Sequence, residues 1–300
     1  MAPATFRALA AIVTNSFGQA QRAELGVAPV VRAGGAGPRA NRSRIVWWIV
    51  FLLGALYFAL PLIATLLFSL RAQPFGAAYA NILKDPGFFA GLSYSFVVGL
   101  ITIAVSILII TPTAFWVRLR LPWLRPFIEF VTLLPFVVPP IVLVFGLINT
   151  YSRPPFRLTA TNTGSDVLLV AAYVILSFPY MYRAVDTGLR SIDVRTLTEA
   201  SQSLGAGWIR IMWQVIFPNL RVSLLSGAFL TLAIVVGEFT IAAFLGRHAF
   251  APYLALIGGN KAYEPAAGSL ISFALTWIAM GLLTVIGRGS RQRVQIAGAH

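Results

Sequence analysis

The stretch Glu199-Ala200-Ser201-Gln202-Ser203-Leu204-Gly205, followed after nine residues by Val215-Ile216-Phe217-Pro218, is a polar island in a strongly apolar chain. Ahead of it, Thr196-Leu197-Thr198-Glu199 fits a capping box, with Asp193 as a second candidate cap for the same helix. Gly205 and Gly207 permit a backbone reversal that a side chain would oppose. Trp208, Ile211, Met212 and Val215 then recur at helical spacing beneath a polar face carrying Arg210 and Gln214. Pro218 suits the first turn of a following helix. The pattern predicts a short polar helix, a tight turn and an amphipathic helix, set between two hydrophobic segments.

Composition identifies the solvent. The 300 residues are 58% hydrophobic and 11% charged, against about 25% charged in soluble domains. A surface that poor in charge calls for lipid. Six hydrophobic segments, near 45–70, 90–116, 127–150, 167–185, 219–246 and 268–287, approach or exceed the roughly 20 residues that cross a hydrocarbon core. They lack the alternation of barrel strands, so the expected fold is all-α, a polytopic membrane protein of six transmembrane helices. The expected organisation is a basic, flexible cytoplasmic tail over 1–44, a membrane domain over 45–290 with the polar elbow at 193–218, and a short cytoplasmic tail over 291–300.

Charge sets the expected orientation. With the N-terminus inside, the basic residues of the first tail, then Arg118, Arg120 and Arg125, then Arg183, Arg190, Arg195, Arg210 and Arg221, and finally Arg288, Arg291 and Arg293 all fall inside. Only Arg71, Lys84, Arg153, Arg157, Arg247 and Lys261 fall outside. That asymmetry predicts both termini and the elbow in the cytoplasm. It also accounts for the net charge of +14 without nucleic acid as a partner. The chain has no cysteine and two histidines, which argues against thiol chemistry and a multi-histidine metal site. No catalytic residues are expected. No Gly-x-x-x-x-Gly-Lys-[Ser/Thr] occurs, so ATP hydrolysis is not expected of this chain.

The elbow resembles the EAA loop of the permease subunits of binding-protein-dependent ABC importers, of MetI-like fold. That pattern is EAA, three residues, G, nine residues, I-x-L-P. Ser201 stands for the second Ala, Val215 for the Ile and Phe217 for the Leu, while Glu199, Gly205 and Pro218 keep their places. The resemblance implies a coupling helix between the fourth and fifth spans that docks on a cytoplasmic ATPase. It nominates Glu199, Ala200, Ser201, Leu204, Gly205 and Pro218 as coupling residues. It implies further partners: a homologous permease forming a homo- or heterodimer, two ABC ATPase subunits using ATP and magnesium, and an extracytoplasmic solute-binding protein. The chain would bind no cofactor itself and would sit in a bacterial inner membrane.

The segment Leu133-Leu134-Pro135-Phe136-Val137-Val138-Pro139-Pro140 is similar to the Pro-rich third span of spermidine/putrescine-type permeases. Gly237-Glu238-Phe239-Thr240 is similar to that subgroup and to iron and thiamine permeases. On these resemblances a polyamine is the first expectation for substrate, with thiamine, ferric ion or another small solute as alternatives. Glu238 reads as an acid deep in the fifth span, costly there and so expected to face a pathway or a partner. Tyr94, Phe136 and Tyr180 are further pathway candidates, while Glu129 has Arg125 within reach. Pro112, Pro135, Pro139, Pro140 and Pro179 are expected to kink their helices. An ion-driven secondary transporter is a weaker alternative, since it would be expected to carry several intramembrane acids in repeated halves. A membrane enzyme would need clustered acids or histidines, and these are scattered.

Overall fold

A computed structural model describes residues 39–288. The tail readings for 1–38 and 291–300 lie outside the described residues. Helix α1 (Arg39–Ser69) begins within the stretch read as tail. The elements after it are α2 (Ala77–Lys84), α3 (Pro86–Arg120), α4 (Arg125–Val137), α5 (Pro140–Tyr151) and α6 (Asn162–Arg190). They continue with α7 (Val194–Ser203), α8 (Trp208–Asn219), α9 (Arg221–Gly237), α10 (Thr240–Phe244), α11 (Phe250–Gly258) and α12 (Glu264–Arg288). No strand occurs among the described residues. The protein is an all-α polytopic membrane protein.

Two compact units divide within α1, at Leu60. In the first, α1 exposes apolar side chains around its circumference, among them Trp47, Phe51, Tyr57 and Phe58. A helix apolar all round is stable only in lipid or against a partner.

In the second unit α3, α6 and α9 pack pairwise against one another. Small residues allow the close approach. A Cβ on Gly99 of α3 would stand 2.7 Å from Leu232 Cδ1 of α9. A Cβ on Gly227 of α9 would stand 2.7 Å from Met181 Sδ of α6. Close backbone packing is how spanning helices associate where lipid removes the hydrophobic drive. Buried hydroxyls line the same seam, with Ser106 Oγ and Ser177 Oγ 2.8 Å apart between α3 and α6. The helices α11 and α12 pack beside this core, and the two short helices α2 and α11 were not anticipated from the sequence.

All six predicted hydrophobic segments are helical, but two are not single helices. Among the described residues three helices are long and apolar enough to cross a membrane unbroken, five if each of two bent pairs counts as a span. The sixth segment is the 25-residue α12. The third span, expected as 127–150, breaks at Val138-Pro139, where the helices before and after meet at 94°. A residue before proline is disfavoured in the α region, and here two prolines follow in succession. Val138 and Pro139 are accordingly extended, with ψ of 113° and 139°. Pro112 and Pro179, expected to kink, stay inside continuous helices. The fifth span, expected as 219–246, begins at Arg221 and ends at Gly237, with Glu238 extended at the break.

Candidate functional site

Helix α7 of the elbow is capped by Asp193, whose carboxylate accepts from Thr196 N at 3.1 Å and Thr196 Oγ at 2.7 Å. This corrects the capping-box expectation. Asp193 takes the Thr196 amide, and the Glu199 carboxylate pairs with Arg195, one turn earlier, at 2.8 Å instead of bonding the Thr196 amide. The Thr196 hydroxyl, then its amide, holds the Asp193 carboxyl below its ordinary range. The sign follows from linkage: the cap is fully present above the ordinary carboxylate range and is lost as pH falls through the lowered value.

The far end of α7 closes as a Schellman motif. Ala206 N donates to Ser201 O at 3.0 Å and Gly205 N to Gln202 O at 2.9 Å. This places Gly205 at φ +78°, a region that glycine enters without penalty. Gly207 is extended, with φ −75° and ψ 165°, and has no such need. The closure leaves Leu204 87% exposed at the tip, beside exposed Glu199, Ala200, Gln202 and Ser203 and half-buried Ser201. The opposite side is rooted. Val194, Ile211, Ile216 and Leu220 are buried in one cluster with Phe115 of α3 and Met181, Val185 and Leu189 of α6. The elbow is thereby packed directly against the ends of α3 and α6.

Pro218 corrects the expectation that it opens the fifth span. It lies in the last turn of α8, and α9 follows after a 77° bend at Leu220. Proline has no amide to donate to the carbonyl four residues back, and the helix widens to π form over Met212–Ile216 just before it. Asn219 Nδ2 caps the Val215 carbonyl at 2.8 Å.

The four pathway candidates fall into three settings. Glu238 is not deep within a helix but at the α9–α10 break. Its carboxylate accepts from Ile241 N at 3.0 Å, Ala242 N at 3.3 Å and Tyr173 Oη at 3.1 Å. Free amides and positive dipole at a helix start explain a carboxylate at this position. Tyr94 bonds to Asp166, and Arg247 Nε reaches Tyr94 Oη at 3.2 Å. Phe136 and Tyr180 meet edge to face, ring centres 5.5 Å apart. Glu129 pairs with Arg125 at 3.0 Å as expected. No group of three or more His, Cys, Asp or Glu poised for a metal occurs among the described residues.

Residues 106–292, which take in the elbow and both broken spans, match the family described as binding-protein-dependent transport system inner membrane component. The chain belongs to that family. It is 28% identical over 247 residues to the probable ABC transporter permease protein y4fN of Sinorhizobium fredii, covering 77% of this chain and 43% of that one. It is 32% identical over 99 residues to the ferric transport system permease protein FbpB of Actinobacillus pleuropneumoniae, covering 33% of this chain and 14% of that one. It is 25% identical over 286 residues to sulfate permease 2, chloroplastic, of Chlamydomonas reinhardtii, covering 89% of this chain and 77% of that one. The chain thus spans less than half the length of y4fN and FbpB.

In this inner membrane component two polar clusters escaped the sequence reading. Asp186 of α6 gathers Arg190 at 2.7 Å, Arg125 of α4 at 3.1 Å and Arg118 of α3 at 3.7 Å. Asp166 of α6 pairs with Arg247 at 2.7 Å, and Arg247 also donates to Asn162 Oδ1 at 2.9 Å. The spacing of Asp186 and Arg190 was a visible signal for one ion pair. The partners from other helices were not, because they depend on how α3, α4 and α6 align.

Proposed function

We propose that this chain is the permease subunit of an ABC importer, providing half of a translocation pathway beside a homologous permease. Two ATPase subunits supply ATP hydrolysis, and a solute-binding protein delivers the cargo from the other side. The observation that carries this reading is the α7 elbow, with its Schellman closure, its exposed Leu204 tip and its root among α3 and α6. Both termini and the elbow are assigned to the cytoplasm of a bacterial cell on the charge asymmetry. A chain without cysteine gives a clean test. In Gln202→Cys, an impermeant maleimide should label inverted vesicles and leave intact cells unlabelled. ATPase subunits should protect the site. Labelling from outside intact cells overturns the topology.

The substrate reading shifts from a polyamine to a small inorganic ion. Two relatives carry the names of ferric and sulfate permeases. Glu238, on which a polycation contact would rest, already has its carboxylate engaged by two backbone amides and a phenol. Glu238→Gln is expected to lower stability by about 1–2 kcal/mol through loss of charge-assisted hydrogen bonds, without changing which solute is transported. Thermal melting and uptake competition check this. A specific loss of polyamine uptake at unchanged stability restores the polyamine reading.

A further inference from the structure

Helix α8 presents three different faces. Ile211 and Ile216 are fully buried against the protein. A second stripe is apolar and outward, with Ile209 79% and Trp213 56% exposed, and with Phe217 stacked on Trp213 at 4.8 Å. A third stripe is polar and outward, formed by Arg210 and Gln214, with Arg221 exposed just past the bend. A helix that meets protein, oil and water on separate faces fits the boundary of a bilayer.

Its orientation and depth agree with that place. The 77° bend sets α8 nearly across the direction of α9, the helix that enters the membrane. Trp208 packs against Trp116 of α3 at 4.9 Å, with Arg120 5.8 Å over the Trp208 ring. This contact fixes α8 at the level where α3 passes from apolar residues to Arg118 and Arg120. Tryptophan at that level belongs to the aromatic belt.

The charges select the lipid. Arg118, Arg125, Arg190 and Arg195 each have a carboxylate within ion-pair distance. Arg120, Arg210 and Arg221 have none among the described residues. Arg210, Trp208 and Trp213 line a groove of about 650 Å³ along α8, and Arg120 sits over the same Trp208. An acidic lipid headgroup would supply these three arginines with the counter-charge that the carboxylates at this end, already paired with other arginines, do not.

We propose that α8 lies in the membrane interface and binds anionic phospholipid headgroups through Arg120, Arg210 and Arg221. This site is distinct from the exposed α7 surface and does not depend on the importer reading. The test uses the purified full-length chain, with its co-purifying subunits, in nanodiscs of phosphatidylcholine containing a fixed fraction of phosphatidylglycerol. Bromine is placed on one lipid or the other. The difference between wild type and Trp213→Phe isolates Trp213 among the seven tryptophans.

Trp213 should be quenched at least threefold more by the brominated anionic lipid than by the brominated zwitterionic lipid at equal fraction. Each arginine changed to glutamine should weaken the preference by about fivefold in lipid affinity, from the roughly 1 kcal/mol that a basic residue gains near an acidic surface. Rising salt should weaken it too, and the triple arginine-to-lysine variant should retain it. Equal quenching by both lipids overturns the headgroup assignment. Absence of quenching by either lipid overturns the interfacial placement, and if it accompanies bound ATPase it makes the stripe a protein-facing surface.

Discussion

Gly205→Val is expected to reduce ATP-driven uptake at least tenfold while the chain still inserts and assembles its spans. The effect is conformational. A Cβ at position 205 would meet nothing within 4 Å, so no neighbour is displaced. The penalty arises because φ of +78° brings Cβ toward the backbone, costing about 1–2 kcal/mol for an ordinary residue and more for a β-branched one. The chain escapes by opening the Schellman bonds from Ala206 to Ser201 and from Gly205 to Gln202. Leu204 and the last turn of α7 then lose the fixed presentation that the proposed ATPase docking requires. Gly205→Asn discriminates this from simple loss of space, because asparagine enters the left-handed region more readily than other residues with a side chain. It should keep most of the uptake, with alanine between the two. Uptake, stimulated ATP turnover and surface expression measured together decide the matter. Normal transport by a well-expressed Gly205→Val protein sinks the elbow's role.

What the sequence revealed and what it hid divide along a physical line. The elbow was legible because its elements are local. A glycine for positive φ, small polar residues on one helix and a hydrophobic stripe at helical spacing all lie within 25 residues. The identity of the cap was not settled, because Asp193 and Thr196 both offered an oxygen and only geometry showed Asp193 binding Thr196. The broken third span was written in Val138-Pro139-Pro140, although hydropathy alone runs through it. Glu238 was misplaced because an apolar run does not report where a helix ends. The carboxylate sits at a break that it helps create by capping Ile241 and Ala242. The Asp186 cluster was the least legible, since its arginines come from three helices.

That cluster carries the second large expected effect. Asp186 is 14% exposed and meets three arginines that are 30–54% exposed. Removing one partner of a fully buried pair costs about 3–5 kcal/mol, whereas exposed pairs contribute about 0–1 kcal/mol. Asp186→Ala falls between, and a loss of about 2 kcal/mol is expected by this comparison. Three guanidinium groups are then left together with, among the described residues, only the more exposed Glu129 nearby, which lies 3.0 Å from Arg125 and 3.7 Å from Arg190. Asp186→Asn keeps the shape and removes the charge, so it should be nearly as harmful as alanine if electrostatics dominate. Pairing Asp186→Ala with Arg125→Ala should recover part of the loss, and a double-mutant cycle on melting temperature reads the coupling directly. The same residue ties the ends of α3, α4 and α6 beside the root of the elbow. Loosening it should raise ATP turnover without solute relative to uptake, because motion at α7 is then no longer carried by a single fastened set of helix ends. An unchanged ratio of turnover to uptake, alongside the stability loss, would confine Asp186 to holding the fold together.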